Sequence, residues 1–235
     1  MKVKAILAYD GSEYYGSQIQ RDKKTIMGEL QNVLIKIGIN SKINFSGRTD
    51  KNVHATYQVC DFEIPSYWKD LQKLQDTLNK MLPSSIMIKK IRQTNDDFHS
   101  RYLAKKRAYR YIIKTTKTTP FEAKYISFIP EANLKEIKQK IDVFIGRYDF
   151  SYFIKTGSET KTNIRTIFDT KAYKYKNYIV LYFEAEGFLR TQIRFMVSSL
   201  INLDKKQIKE MLYLKKRYKI KPAIPNGLYL AKIKY

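Results

Sequence analysis

Strand-like runs in this 235-residue chain come in adjacent pairs with helical stretches between them, and that ordering excludes most folds. "KVKAILAYD" opens with Val3, Ala5, Leu7 and Tyr9 alternating onto one face, the period of a half-buried strand. "TIMGELQNVLIKIG" then sets Ile26, Leu30, Val33, Leu34 and Ile37 at helical spacing, with Thr25 as N-cap and Gly38 as stop. A strand pair follows, "INF" and "ATYQVCDF", and after it a helix over "SYWKDLQKLQDTLNKML" that presents Leu71, Leu74, Leu78 and Met81 before Pro83. Two more strands, "IMIKKIR" and "LAKKRAYRYIIKT", flank "QTNDDFHSRY". Beyond a looser stretch with Pro120 and Pro130 comes a helix ("ANLKEIKQKIDVFIG"), a loop, and the strands "IRTIFDTKAYKY" and "YIVLYFEAEGF". Two helices ("RTQIRFMVSSLINL" and "KKQIKEMLYL") and a closing strand ("GLYLAKIKY") complete the order. Strict βαβ alternation would demand a parallel sheet; this order predicts an α+β fold whose mixed sheet is largely antiparallel. The halves 1–104 and 105–235 hold similar inventories, which suits two subdomains sharing one sheet.

Charge narrows the partners. Lys and Arg number 45 against 22 Asp and Glu, a formal +23 spread along the chain, so the folded body itself carries a positive field. Such a field suits a polyanion, and 19 tyrosines suit stacking on unpaired bases, although an AT-rich coding bias favours the same residues. The single cysteine, Cys60, excludes an intramolecular disulfide and fits a reducing cytoplasm. One Cys and two separated His (His54, His99) make no zinc constellation. No apolar run approaches the ~20 residues of a membrane span, and the first residues do not resemble a signal peptide. The expectation is a cytosolic protein without a membrane partner.

Phosphate-gripping P-loops, GxGxxG turns, HExxH and GxSxG are missing from the sequence, which disfavours nucleotide, nicotinamide and metal chemistry. Side chains must then carry any reaction, and the best candidate lies in "SGRTDKNVH". This connection runs from Ser46 to His54, nine residues, where a tight hairpin takes about two to five. It holds Asp50 between Arg48 and Lys51, just after Gly47. One reading is a solvated turn whose Asp bonds its own backbone. The other is a carboxylate that, ionised at pH 7, serves as a nucleophile or base but not as a general acid, with Arg48 and Lys51 drawing phosphates to it.

"FSGRTDKNVHATYQVCDF" resembles the signature of the tRNA pseudouridine synthase A family, close to GRTDxGVHA. "YDGSEYYGSQIQ" with "TIMGELQ" resembles the family's opening segment, and "DDFHSRYLAKKRAYRYII" its central block. "GFLRTQIRFMV" is similar to its late helix and "PNGLYL" to its closing strand, so five ordered blocks run from about residue 3 to 232. The resemblance implies a pseudouridine synthase fold of two RRM-like halves flanked by helices, with a cleft between them. It implies a homodimer that isomerises uridine to pseudouridine at positions 38 to 40 of tRNA, without cofactor or metal.

It further implies roles for individual residues. Asp50 stands at the nucleophile, Arg48 at the arginine that assists extrusion of the target nucleotide, and Tyr109 at the tyrosine that stacks on the flipped base. Arg194 stands at the basic residue that pairs with the nucleophile. Read from the residues alone, Tyr109 alternates with Arg107 and Tyr111 as a core position would, Arg190 and Arg194 suit a solvated helix edge, and Phe98, His99 and Arg101 lie in a loop expected to contact RNA. Two positions depart from the pattern. Ser17 follows Gly16 where the family usually has Trp, and Asn52 replaces the glycine of the signature, a position at which Asn tolerates a positive φ. The alternatives are a non-catalytic RNA-binding module with this fold and a carboxylate-dependent nuclease, which would want several acidic metal ligands.

Overall fold

The computed structural model describes residues 1–155, 157 and 160–235. Its strands are β1 (Lys2–Tyr9), β2 (Asn44–Phe45), β3 (His54–Glu63), β4 (Ile86–Gln93), β5 (Lys106–Lys114), β6 (Ser127–Phe128), β7 (Gly146–Asp149), β8 (Ile164–Tyr175), β9 (Tyr178–Ala185) and β10 (Leu228–Lys234). The α-helices are α1 (Ile26–Lys36), α2 (Leu71–Met81), α3 (Leu134–Lys140), α4 (Gln192–Asn202) and α5 (Lys205–Leu212). The chain divides into two compact units, one of Met1–Lys105 with Leu230–Tyr235, the other of Lys106–Tyr229.

In the N-terminal unit the strand order is β4-β1-β3, with the last residues of β10 beside β3. β1 pairs antiparallel with both β3 and β4, and β2 with β3. The alternation in β1 holds: Val3, Ala5 and Leu7 are fully buried and Tyr9 nearly so. α1 starts where the cap residue says, since Thr25 Oγ1 accepts from Gly28 N at 3.2 Å. α2 starts later than the sequence pattern suggests. Trp68 N donates to Pro65 O in a turn, and Asp70 Oδ1 accepts from Gln72 N and Lys73 N, making Asp70 the true cap. One turn apart on α2, Gln75 and Asn79 hydrogen-bond Ile91 N and Ile88 N of β4. Those bonds satisfy amides of an edge strand that would otherwise invite another chain.

The C-terminal unit has the order β5-β9-β8-β7, all antiparallel, with β6 added parallel to β5. The architecture is therefore α+β, and the pairings just given are antiparallel except β5 with β6. Two details differ from the sequence pattern. The helix expected over 132–146 is α only from Leu134 to Lys140, after the cap Asn133, and then tightens into a 3-10 turn at Ile141–Phe144. Ile141 and Phe144 are both buried, and the 3-10 geometry eclipses residues three apart, so both reach the core from one side. The expected loop after it contains β7, whose "GRYD" has no apolar alternation and is ordered by pairing with β8 from Gly146↔Ile167 to Asp149↔Ile164. Among the described residues no helix is long and apolar enough to cross a membrane.

Candidate active site

The connection from Ser46 to His54 has the length to leave the β2–β3 hairpin, yet it is pegged to the body of the N-terminal unit along its course. Ser46 Oγ donates to Gln58 Oε1, and Gln58 Nε2 donates to Gly47 O at 2.8 Å, so β3 holds the loop's start. Thr49 N donates to Ser17 Oγ at 2.9 Å, and Ser17 N donates to Thr49 O at 3.1 Å. Thr49 Oγ1 shares a 2.8 Å hydrogen bond with the Tyr9 hydroxyl at the end of β1. Val53 N closes the far side on Asp50 O at 3.2 Å. Tyr9, Ser17, Ser46, Thr49 and Gln58 are all buried. Burial pushes the Tyr9 hydroxyl up to about 12, against the pull of hydrogen bonds to Thr49, Gln58 and Ser17. It acts as a neutral peg at any physiological pH.

Arg48 and Asp50 flank the pegged Thr49. Approach of the 10–17 segment to them requires a glycine: Gly16 has φ +98, and a Cβ there would stand 2.6 Å from Thr49 O and 3.3 Å from the Asp50 carbonyl carbon. Asn52 takes φ 63, the left-handed conformation expected for a residue in the signature's glycine position. Its Oδ1 is buried and has no hydrogen-bond partner among the described residues. Lys51 turns to Tyr15, with Nζ 4.2 Å from the ring centroid, and Lys23 Nζ lies 4.9 Å from the same ring.

Partial burial lowers the Arg48 pKa, and the positive charge of Arg101 lowers it further, so two guanidinium groups are held close enough to repel. The loop after β4 brings Arg101 there. Ser100, its neighbour, is fixed on three sides: its N donates to Asp61 Oδ1 at 2.7 Å, its Oγ to Asn44 O at 2.6 Å, and its O accepts from the Tyr235 hydroxyl at 2.9 Å. Phe98 is 8% exposed, with its ring 5.0 Å from that of Tyr235 and Lys4 Nζ over both. Phe98 thus seats the loop, while Arg101 and Tyr102, 74% exposed, form its outer surface with Arg101 5.7 Å from the Tyr102 ring.

The remaining two expected site residues belong to the C-terminal unit. Tyr109 on β5 pairs in register with Phe183 of β9, is 6% exposed, and meets the Phe188 ring edge-on at 5.3 Å. Arg194, on the first turn of α4, donates from Nε to Ala223 O at 2.6 Å, and Ala223 N donates to Arg194 O at 3.0 Å. The first of these bonds tethers the guanidinium at Nε. Tyr111, two residues along β5 from Tyr109, is fully buried and donates to Ile224 O at 2.7 Å. Burial pushes its hydroxyl up to about 12, with Ser127 and the Arg194 charge acting the other way.

Sequence reasoning did not find the polar pegs. A signal existed for one of them: Tyr9 continues the inward-facing register of β1. For Ser17 only its departure from the expected Trp was visible.

Comparison with known proteins gives this geometry its context. The profile of the family described as tRNA pseudouridine synthase matches residues 5–103 and 141–235. The tRNA pseudouridine synthase A of Campylobacter jejuni is 41% identical over 240 residues, which span all of both chains. That of Wolinella succinogenes is 36% identical over 98% of this chain and 93% of its own. That of Limosilactobacillus reuteri is 35% identical over 100% of this chain and 96% of its own. A pegged GRTD loop and full-length identity of this order lead to one conclusion: the chain belongs to the tRNA pseudouridine synthase family.

Proposed function

We propose that this protein isomerises uridine to pseudouridine in tRNA, at positions 38, 39 and 40 of the anticodon arm, with Asp50 as the nucleophile. The observation that carries the reading is full-length kinship with tRNA pseudouridine synthases, combined with an Asp50 loop pegged by hydrogen bonds at Gly47 and Thr49. The reaction breaks the N1–C1′ bond, turns the base, and forms a C5–C1′ bond. C5 loses a proton and N1 gains one, so atoms and charge balance without an oxidant. A carboxylate attacking C1′ of the ribose or C6 of the uracil carries the base or sugar through that exchange.

Each other residue has a place in the proposal. Extruding a nucleotide takes a few kcal/mol, and Arg48, beside Arg101, offers the opened backbone phosphate two cations. Their mutual repulsion is relieved by that anion. Tyr109 is the residue that stacks on the flipped base, a contact worth ~1–3 kcal/mol. Arg194, its Nε already fixed on Ala223 O, pairs with the nucleophile and orients it. Phe98 serves RNA through the seating of the Arg101 loop. The protein works as a cytoplasmic homodimer and needs neither metal nor cofactor.

The test uses purified protein and tRNA whose uridines carry tritium at C5, with tritium release followed in the absence of added metal. Release from a tRNA bearing uridine at 38, 39 or 40 is expected, and Asp50→Asn should abolish turnover while tRNA still binds in a salt-sensitive manner. A wild-type protein that releases nothing from such a tRNA would sink the reading.

A further inference from the structure

We propose that Ser17 is a positioning residue for Asp50, setting the direction in which the carboxylate leaves the loop. The inference rests on the reading of Asp50 as nucleophile and deepens it. Thr49 stands between Arg48 and Asp50, and two peptide planes meet at it. Thr49 N belongs to the plane shared with Arg48, and Thr49 O to the plane shared with Asp50. Ser17 bonds both: its Oγ accepts from Thr49 N, and its own N donates to Thr49 O. One residue therefore fixes the backbone on either side of Thr49. The Tyr9 hydroxyl meanwhile fixes the Thr49 side chain. The peptide planes that carry Arg48 and Asp50 cannot turn without breaking a bond to Ser17.

Ser17 is itself immobilised by a secondary-structure element. The first N–H groups of α1 have no partner within the helix, and two of them are bonded to the 16–17 segment. Ile26 N donates to Gly16 O at 3.3 Å, and Met27 N donates to Ser17 O at 3.0 Å. Ser17 is 1% exposed, which keeps bulk solvent from competing for its hydrogen bond with Thr49 N. The rigidity of α1 is thus passed through Ser17 to the loop, although Ser17 and Thr49 lie 32 residues apart in the chain. A residue too large for this site could not accept from Thr49 N at 2.9 Å while its backbone stays on Thr49 O.

Tritium release and amide hydrogen exchange, measured on the full chain, test this together. Ser17→Ala removes the acceptor and keeps the backbone bond. It should lower kcat roughly ten- to hundredfold, the scale of a catalytic group displaced by a fraction of an ångström, with KM and tRNA binding within about twofold of wild type. Ser17→Thr keeps the hydroxyl and should restore most of kcat. Exchange should quicken in the peptide covering 46–53 of Ser17→Ala, stay slow in Ser17→Thr, and remain unchanged in β1 of both. A wild-type chain without turnover overturns this proposal together with the Asp50 reading. Turnover in the wild type with unchanged kcat or unchanged exchange in Ser17→Ala overturns this proposal alone. So does an equal loss of kcat in the Ala and Thr variants, which marks a general packing defect.

Discussion

Asp61 is a carboxylate near the end of β3 with no exposed surface, and the cost of replacing it depends on what replaces it. It accepts from Ser100 N at 2.7 Å and from Asn44 Nδ2 at 3.0 Å, and Lys2 Nζ lies 3.8 Å away with 15% of its side chain exposed. Asp61→Ala leaves two buried donors without an acceptor. At ~1–3 kcal/mol for each unsatisfied group, the loss is about 2–6 kcal/mol, with the lower half favoured because Asn44 can turn toward water. Lys2 adds little, since its ammonium is near solvent. Asp61→Asn behaves differently. Its oxygen still accepts from Ser100 N, and its amide donates to the Asn44 oxygen once that side chain turns over, so the loss should stay near or below ~1 kcal/mol. Urea denaturation reads this as a large fall in midpoint for Ala and a small one for Asn, at unchanged m-value. Since Ser100 anchors Arg101, the Ala variant should also raise KM for tRNA while Asn leaves it nearly unchanged. Equal destabilisation by Ala and Asn would refute the argument, because it would mean the negative charge, and not the two acceptor positions, stabilises the loop.

Three further outcomes are expected. Asn52→Gly removes both a positive φ on a side-chain residue and a buried unpartnered oxygen, and should raise stability by about 1 kcal/mol net of glycine's greater freedom in the unfolded chain. A lower melting temperature in that variant would contradict the conformational account. Burial, reinforced by the Asp61 charge, pushes the Cys60 thiol up, so alkylation of the folded protein at pH 8 should be slow and should follow the rate of unfolding. Fast stoichiometric labelling of native protein would contradict it. Glu122 is held at about 2, from 4.5, first by the Lys114 ammonium and then by Thr119 N–H and the Tyr178 hydroxyl. A depressed carboxyl stabilises the fold fully above about 4.5 and loses that contribution as pH falls towards about 2. Glu122→Gln should therefore be less stable than wild type near neutrality, and the difference should vanish in thermal melts near pH 2.

What could be read in advance was local in the chain. β1 shows its inward face by alternation, and Thr25 marks the start of α1 because cap and helix are neighbours. The loop of Arg48 and Asp50 was visible from its charge and its excess length. Features set by distant partners were hidden. Alternation along β3 puts Cys60 and Asp61 on opposite faces, which predicts that one of them meets solvent. Both are buried, because Ser100, 39 residues away from Asp61, covers the second face. β7 was hidden for the same reason, since its strand character comes from the partner β8 and not from its own four residues. At the site, Ser17 looked like a missing aromatic and turned out to be a hydrogen-bonding residue 32 positions from the backbone it holds.

The composition of the N-terminal unit also sets a timetable for synthesis. By the time Lys105 is made, every residue of that unit exists except Leu230–Tyr235, and those follow only after Lys106–Tyr229. At ~5–20 residues per second the wait is on the order of ten seconds. During it, Lys105 N lacks Lys234 O, Ser100 O lacks the Tyr235 hydroxyl, and Phe98 lacks the ring against which it packs. A ribosome-bound chain thus carries most of its positive charge well before the Arg101 loop is seated. Nascent chains amid the abundant RNA around a ribosome would then attract it without holding it in register, and the arrival of Leu230–Tyr235 would turn a merely sticky polypeptide into a discriminating one.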